Sequence, residues 1–263
     1  MGKDSINGAH TPGLTSANIG GATYQFTDNF VAGFAASDVD DYFKKQYINA
    51  NYTLPINDEQ SLNFDLNAYK TKDQGQALAG TVDNTLWSLA AAYSLGAHKF
   101  TLGYQQSRSR EWSREVRTAL PTVRERDVRY EEDLWQAVLQ AERTRPLGNG
   151  WAHTLVYGAD VSVAELDNLV TGVAGPAYET YPLPRFPKTR ETNSAFFLQS
   201  EFVSERWSVI PALRYDRFSL KPQSSPLYPL APAALSDSAL SPKLGLILRP
   251  HPHWQVFANA AAG

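Results

Sequence analysis

Cysteine is absent from all 263 residues, which removes disulfides, thiolate metal sites and thiol nucleophiles together. Methionine occurs only at position 1. No apolar run approaches the roughly 18 residues of a membrane-crossing helix. That absence leaves a membrane β-barrel open, because every second residue of such a strand faces a polar interior. Basic charge is not in surplus: the net charge is −3 and the pI about 6.0, so no nucleic-acid partner is expected. The GxSxG, HExxH, GxGxxG and P-loop patterns are all missing, and no catalytic residue is assigned. Five histidines are present, of which His10, His98 and His153 stand alone. His251 and His253 flank Pro252 without a neighbouring carboxylate, so they read as a polar turn rather than a metal site.

What the chain does have is aromatic residues, with 13 tyrosines, 12 phenylalanines and 6 tryptophans, and alternation. Between Thr192 and Phe218, Phe196, Leu198, Ser200 and Phe202 share one face, and Phe197, Gln199 and Glu201 the other. A polar turn at 204–206 leads into Trp207, Val209, Pro211, Leu213 and Tyr215, again on one face. This period-two pattern on both sides of a tight turn is a β-hairpin. Taken alone, it fits a membrane strand pair of about 9–11 residues each and a soluble sandwich equally well.

The same reading recurs along the chain. Residues 1–18 form a polar leader with no apolar segment, so it is not read as a secretory signal, and export of the chain as written is not expected. Strands are expected at 19–26, 29–37, 47–54, 62–69, 86–95, 100–106, 133–142, 151–163, 194–203, 207–218, 243–248 and 254–262. Short turns would follow Phe26, Leu54, Leu95, Thr144, Val203 and Leu248. Long loops are expected on the other rim: the acidic segment 38–45, then 71–84, 107–130, 167–190 and 221–241. The stretch 107–130, SRSREWSREVRTALPTVRERDVRY, holds seven arginines and four acids. It reads as a solvated loop with at most a short helical turn, or else as an arginine cluster for lipid phosphate or ligand. Trp151, Trp207 and Trp254 each open a strand directly after a short turn, which would set three indoles at one height as a membrane-interface girdle.

The expected fold is therefore all-β: an antiparallel outer-membrane-type β-barrel, whole or partial, of about twelve strands, an even number as such barrels use. Short turns would face the periplasm and long loops the outside. Charge on the lipid side costs about 2–4 kcal/mol at the bilayer midplane, so the polar faces must point inward. Asn49, Asn51, Asn63, Asp65, Asn67, Gln199, Glu201 and Arg214 are then the candidate lumen-facing residues. Tyr178, Tyr181, Arg185 and Phe186 are candidate ligand contacts in the long loop. A non-transporting surface protein that binds a partner through its long loops remains an alternative.

Two stretches resemble known families. Residues 19–71, IGGATYQFTDNFVAGFAASDVDDYFKKQYINANYTLPINDEQSLNFDLNAYKT, and 83–106, DNTLWSLAAAYSLGAHKFTLGYQQ, resemble the interior of an OprD-type substrate-specific porin. That resemblance implies an outer-membrane barrel passing small carboxylates or basic amino acids by diffusion. In the second stretch, RYEEDLWQAVLQAER (129–143), GWAHTLVYGADVS (150–162), TNSAFFLQSEF (192–202), RWSVIPALRYDRF (206–218) and SPKLGLILRPHPHWQVFANAAAG (241–263) resemble the barrel of a TonB-dependent receptor of the haem/haemoglobin branch. Energy-driven import is implied there, with haem as the transported ligand and haemoglobin as its source. The plug, TonB box and last barrel strands of that family are not among the matching segments, so TonB contact and haem ligation are carried over to no residue. No resident cofactor is expected. The organisation expected is a leader (1–18), porin-like hairpins (19–106) and receptor-like hairpins (107–263) in one continuous sheet: a hybrid of two outer-membrane transport walls, expected to be inactive in transport by itself.

Overall fold

The computed structural model describes residues 16–78, 80–116, 123–173, 179–251 and 253–262. Among them, no helix is long and apolar enough to cross a membrane. The chain forms twelve strands: β1 (Ala17–Thr27), β2 (Phe30–Val39), β3 (Phe43–Asn57), β4 (Gln60–Asp73), β5 (Thr81–Leu95), β6 (His98–Val116), β7 (Val123–Gly148), β8 (Trp151–Val173), β9 (Thr189–Val203), β10 (Trp207–Pro222), β11 (Leu235–His251) and β12 (Trp254–Ala261). Each pairs with the next in a single sheet ordered β1 to β12, and every pairing is antiparallel. The expected fold class is thus observed.

The registers give the sheet two chemically distinct faces. Paired residues share a face, and pairs such as Phe34↔Ile48, Leu66↔Leu89, Phe100↔Leu139, Tyr157↔Leu198 and Leu213↔Leu198 carry one apolar surface from β2 to β10. That surface is not covered. Phe34 is 58% exposed, Phe196 65% and Leu240 58%, while among the described residues the buried apolar ones are Ala92, Ala141, Ala164, Val170 and Ala195, none larger than valine. A single layer with no core of its own cannot gain the ~25 cal/mol per Å² that water-excluding burial supplies. A patch this wide far exceeds what soluble monomers leave open. Lipid is the environment that makes such a surface stable.

Short connections lie along one rim, at 28–29, 58–59, 96–97, 149–150 and 204–206, and β12 starts at Trp254 soon after β11 ends at His251. Asn149 and Gly150 both have positive φ, 51° and 75°, the backbone of a two-residue hairpin turn whose twist matches that of the flanking strands. On the opposite rim the expectation of uniformly long loops is corrected. The acidic segment 38–45 is not a loop: β2 continues to Val39 and β3 starts at Phe43, and Lys44 bridges Asp38 across the strands at 3.3 Å. Nor is 107–130 a solvated loop, since β6 runs to Val116 and β7 starts at Val123. Similarly β8 extends to Val173, β9 starts at Thr189, β10 ends at Pro222 and β11 starts at Leu235. His98 opens β6 rather than sitting in the turn before it. The reason is common to all these cases. Hydrophobic alternation ends where the apolar face ends, whereas the backbone ladder needs only a neighbouring strand and continues beyond it.

β1 and β12 each have a single neighbour, and every residue of both is exposed. The sheet is open, with two free edges.

Candidate functional site

The face opposite the apolar surface is polar, and two clusters on it stand out. In β3 and β4 the pairs Asn51↔Asp65, Thr53↔Asn63 and Asn49↔Asn67 put five of the sequence-derived lumen candidates side by side. Asn63 Nδ2 donates to Asn51 Oδ1 (2.9 Å) and Thr53 Oγ1 (2.9 Å), and Asn51 Nδ2 donates to Asp65 Oδ2 (3.1 Å). Asn67 donates to the other Asp65 oxygen, and the Tyr47 hydroxyl donates to Asn67 Oδ1 at 2.6 Å. Tyr47 in turn stacks on Tyr69, with ring centroids 4.4 Å apart. Asn49 lies opposite Gly33, where an added Cβ would meet Asn49 Oδ1 at 2.7 Å and Thr23 Oγ1 at 2.8 Å. Only a glycine leaves that amide its room. The result is a mostly neutral amide ladder holding one carboxylate.

The second cluster, in β8–β10, is ionic. Arg214 Nε donates to Asp216 Oδ1 (2.8 Å), and its Nη2 lies 3.1 Å from Asp160 Oδ2. The guanidinium also lies over the Phe197 ring, 5.9 Å from its centroid. Phe197 itself rests on Gly158, where a Cβ would clash with its Cζ at 2.5 Å and with the Leu139 carbonyl at 2.3 Å. Gln199 and Glu201 share this face but pair with Val156 and Thr154 of β8, away from the guanidinium. Asp216 shares the polar face of Arg214 as alternation alone predicts, whereas Asp160 is the residue that sequence reasoning missed. Its signal was the parity of YGADVSV, which places Asp160 on the face of Arg214 once β8, β9 and β10 are in register.

The rim beyond the apolar surface is a third polar region. Arg110 grips Asp127 with Nε at 2.9 Å and Nη2 at 2.7 Å, and this donation holds the Asp127 carboxyl below the usual carboxylate range, against the opposing effect of its burial. The segment 179–188 is tied to β8 by reciprocal backbone hydrogen bonds between Val170 and Leu183. Of the loop candidates, Tyr181 donates to Glu179 Oε2 (2.8 Å) and the Arg185 backbone N–H to Asn168 Oδ1 (3.3 Å). Phe186 meets Tyr130 edge-on at 6.4 Å. Tyr178 lies outside the described residues. Hydrogen bonding from Tyr181, with the charges of Arg126 and Arg124 behind it, lowers the Glu179 carboxyl. Burial first and the Glu132 carboxylate second push the Tyr130 phenol up to about 12. The described loop candidates thus make separate contacts, Tyr181 and Phe186 through their side chains and Arg185 through its backbone, with the Arg185 side chain exposed.

On the apolar face, Trp151, Trp207 and Trp254 all stand next to the short turns, with Trp207 and Trp254 well exposed. A second aromatic line, unforeseen from the sequence, runs across β5–β7. Trp87 meets Tyr104 at 5.2 Å and Tyr104 meets Trp135 at 4.5 Å. Its polar atoms tie into the layer beyond it: the Tyr104 hydroxyl donates to Asp133 (2.6 Å), which also takes Arg108 Nη2 (2.8 Å). Rings below and charge above is the order in which a strand leaves lipid for water. His153, on this face, is buried and stacks on Phe202 at 4.5 Å. Among the described residues no group of three or more metal-ligating side chains occurs.

Comparison with known proteins is consistent with this two-faced sheet. Residues 3–123 match the family described as outer membrane porin, OprD family. Porin D of Pseudomonas aeruginosa is 50% identical over 91 residues, covering 35% of this chain and 20% of that protein. Among solved structures, the unliganded ferric citrate transporter FecA superposes with a TM-score of 0.69 at 13% identity, covering 94% of this chain and 42% of that one. The outer membrane protein OprD from Pseudomonas aeruginosa gives 0.54 at 22% identity, over 96% of this chain and 61% of that one. The chain therefore spans a fifth of the curated porin and less than two thirds of these structures. Its fold is that of outer-membrane β-barrel walls, its relatives are porins and transporters rather than enzymes, and its first part is similar in sequence to OprD-family porins.

Proposed function

We propose that the chain is wall of an outer-membrane transport barrel, in which the amide ladder of β3–β4 and the Asp160–Arg214–Asp216 cluster line a water-filled path for small charged solutes. The observation that carries this reading is the separation of the two faces: an uncovered apolar surface on one side and ordered polar ladders on the other. A carboxylate within an amide ladder and an arginine held between two aspartates offer matched stations to a solute bearing both charges, such as a basic amino acid, and to a small carboxylate. The OprD-family likeness of residues 3–123 supports passive diffusion past β1–β6. The superposition on FecA supports no more than a receptor-sized wall for β7–β12, and the hybrid of porin-like and receptor-like parts is the finer form of this proposal. Two free edges in lipid would strand backbone N–H and C=O groups, so the path closes only when β1 and β12 gain neighbours.

The cysteine-free sequence makes a direct test available. Single cysteines at Asn51, Asp65 and Arg214, and at Leu66, Leu198 and Leu213, are introduced into protein refolded in lipid vesicles, then treated with a water-soluble thiol reagent. The first group is expected to label fast and the second slowly; equal rates would remove the assignment of faces. Swelling of the same vesicles in lysine or succinate, against a neutral sugar, tests transport. Rates no higher than those of protein-free vesicles would remove the path.

A further inference from the structure

We propose that the outer face carries a phosphate-binding cleft for an anionic lipid of the surrounding leaflet, formed by β9, β10 and the start of β11. The inference rests on the assignment of the apolar face to lipid. The cleft, of about 420 Å³, is lined by Thr192, Ser194, Arg217, Ser219, Lys221 and Ser236, with Ala234 and Leu235. The registers Arg217↔Ser194, Ser219↔Thr192 and Ser219↔Ser236 put these side chains on the same face as Phe196, Leu213 and Tyr215. Tyr215, paired with Phe196 and Leu240, is the rung directly below Arg217. The cations therefore begin where the apolar surface stops, at the height of lipid headgroups.

Charge balance distinguishes this place from the rest of the rim. Elsewhere on the outer face the cations at this level stand beside carboxylates: Lys70 bridges Asp83, Arg108 bridges Glu131 and Asp133, Arg110 bridges Asp127, Lys188 bridges Glu165, and Lys72 lies opposite Asp83 in register. The cleft lining contains no carboxylate, and among the described residues neither Arg217 nor Lys221 makes an ion pair. Asp216 and Asp237 flank the same stretch of backbone but lie on the opposite face by register. Arg190, paired with both Lys221 and Glu165, adds a third cation at the edge, with Glu165 the one acid beside it. A guanidinium, an ammonium and four hydroxyls around one cleft are donors in search of acceptor oxygens. A phosphate supplies several, and binds such a fork more strongly than neutral groups do. Diffusion of a lipid along the apolar face delivers the phosphate to this height with its acyl chains against Tyr215 and Leu240.

The test uses the full chain refolded in phosphatidylcholine vesicles containing diphosphorylated lipid A, then extracted in mild detergent, with retained lipid A measured by mass spectrometry. The wild-type protein is expected to retain lipid A and to lose it when the phosphates are removed. The double variant R217Q/K221Q should retain at least roughly tenfold less, the effect of losing two charge-assisted contacts, while R110Q, at an ion-paired cation of the same rim, retains it fully. Equal retention by the double variant, or equal retention of dephosphorylated lipid A, overturns the proposal. So does complete release by an equal concentration of inorganic phosphate, which would assign the cleft to soluble anions. Heat-modifiable gel migration of each variant reports separately on the barrel-type fold. Should the double variant lose it, K221Q alone and R217K decide, with intermediate retention expected from each.

Discussion

β2 and β7 are the extremes of one wall. β2 has 10 residues and β7 has 26, whereas crossing the hydrocarbon takes about 9–11. β2 is therefore nearly all membrane strand and turns back at once through residues 40–42. β7, with β6 and β8, rises past the Trp87–Tyr104–Trp135 line into a region where both faces are polar. The two regions are held together differently. Within the membrane layer the apolar face supplies stability and the polar face must be fully hydrogen-bonded, as the Asn51–Asn63–Asp65 ladder is. Above it, exposed ion pairs such as Arg110–Asp127 and the docking of 179–188 on β8 take over. Ion pairs of that kind contribute about 0.2–1 kcal/mol each, so the tall region is expected to open locally well before the membrane layer does.

The largest effect should come from breaking the face rule in the membrane layer. Leu198→Arg puts a charge on the apolar face in mid-strand and is expected to cost about 2–4 kcal/mol, read as a shift in the denaturant midpoint of protein in lipid vesicles. Gln199→Arg, one residue away on the polar face, should be close to neutral. Similar costs for both would mean that the faces are misassigned. Next in size is Gly158→Val. Its Cβ meets the Leu139 carbonyl, which belongs to backbone and cannot turn aside, so about 1–3 kcal/mol of overpacking strain is expected. The same substitution at Gly20, where nothing lies within 4 Å of an added Cβ, should cost little in packing.

A smaller effect separates the two polar clusters. Asp160→Asn leaves Arg214 with Asp216 as its remaining ionic partner, and because the guanidinium is part-exposed the cost should stay near 1 kcal/mol. Its consequence should instead appear in selectivity, with vesicle swelling in succinate rising relative to lysine. Asn63→Ala breaks three neutral hydrogen bonds in the other ladder and should leave that ratio unchanged. A ratio that moves equally for both variants would mean that Arg214 has no special place on the path.

Much of this architecture was legible in alternation, and what was not failed for one physical reason. Phe196, Leu198 and Leu213 against Gln199, Glu201 and Arg214 gave the two faces, and the polar residues 204–206 gave a turn, because period and turn chemistry are local. The extensions of β6 and β7 were missed because arginines and acids there look like a solvated loop, and only the pairing Arg110↔Arg129 with Asp127 nearby reveals that they sit on neighbouring strands. The Asp160–Arg214 contact joins residues 54 apart, a proximity that follows from strand order and register. Tyr104 and Trp135 form an interface line only once β6 and β7 are aligned. Likewise the cleft between Arg217 and Lys221 exists because β9 and β11 bring hydroxyls, and no carboxylates, to either side of β10.

The weakest forces in the comparison are also the ones that acid can switch. Asp127 and Glu179 both have carboxyls lowered in the folded protein, the first by Arg110 and the second by Tyr181. A carboxylate whose folded value lies below its unfolded value stabilises the fold fully above the unfolded value, near pH 4 for these side chains. It loses that contribution as the pH falls through the folded value. Nothing should therefore change between neutral pH and about pH 5, while below about pH 4 the rim should loosen. The apolar face and the backbone ladder of β3–β4 have no reason to respond. Hydrogen exchange, corrected for the intrinsic pH dependence, should show protection falling at Val170 and Leu183 as Asp127 and Glu179 protonate, with the amides of Asn51 and Asp65 still protected. Loss of protection at both places together would mean that the wall opens as one unit, and that the tall strands are not the independently stabilised region their charge pairs make them.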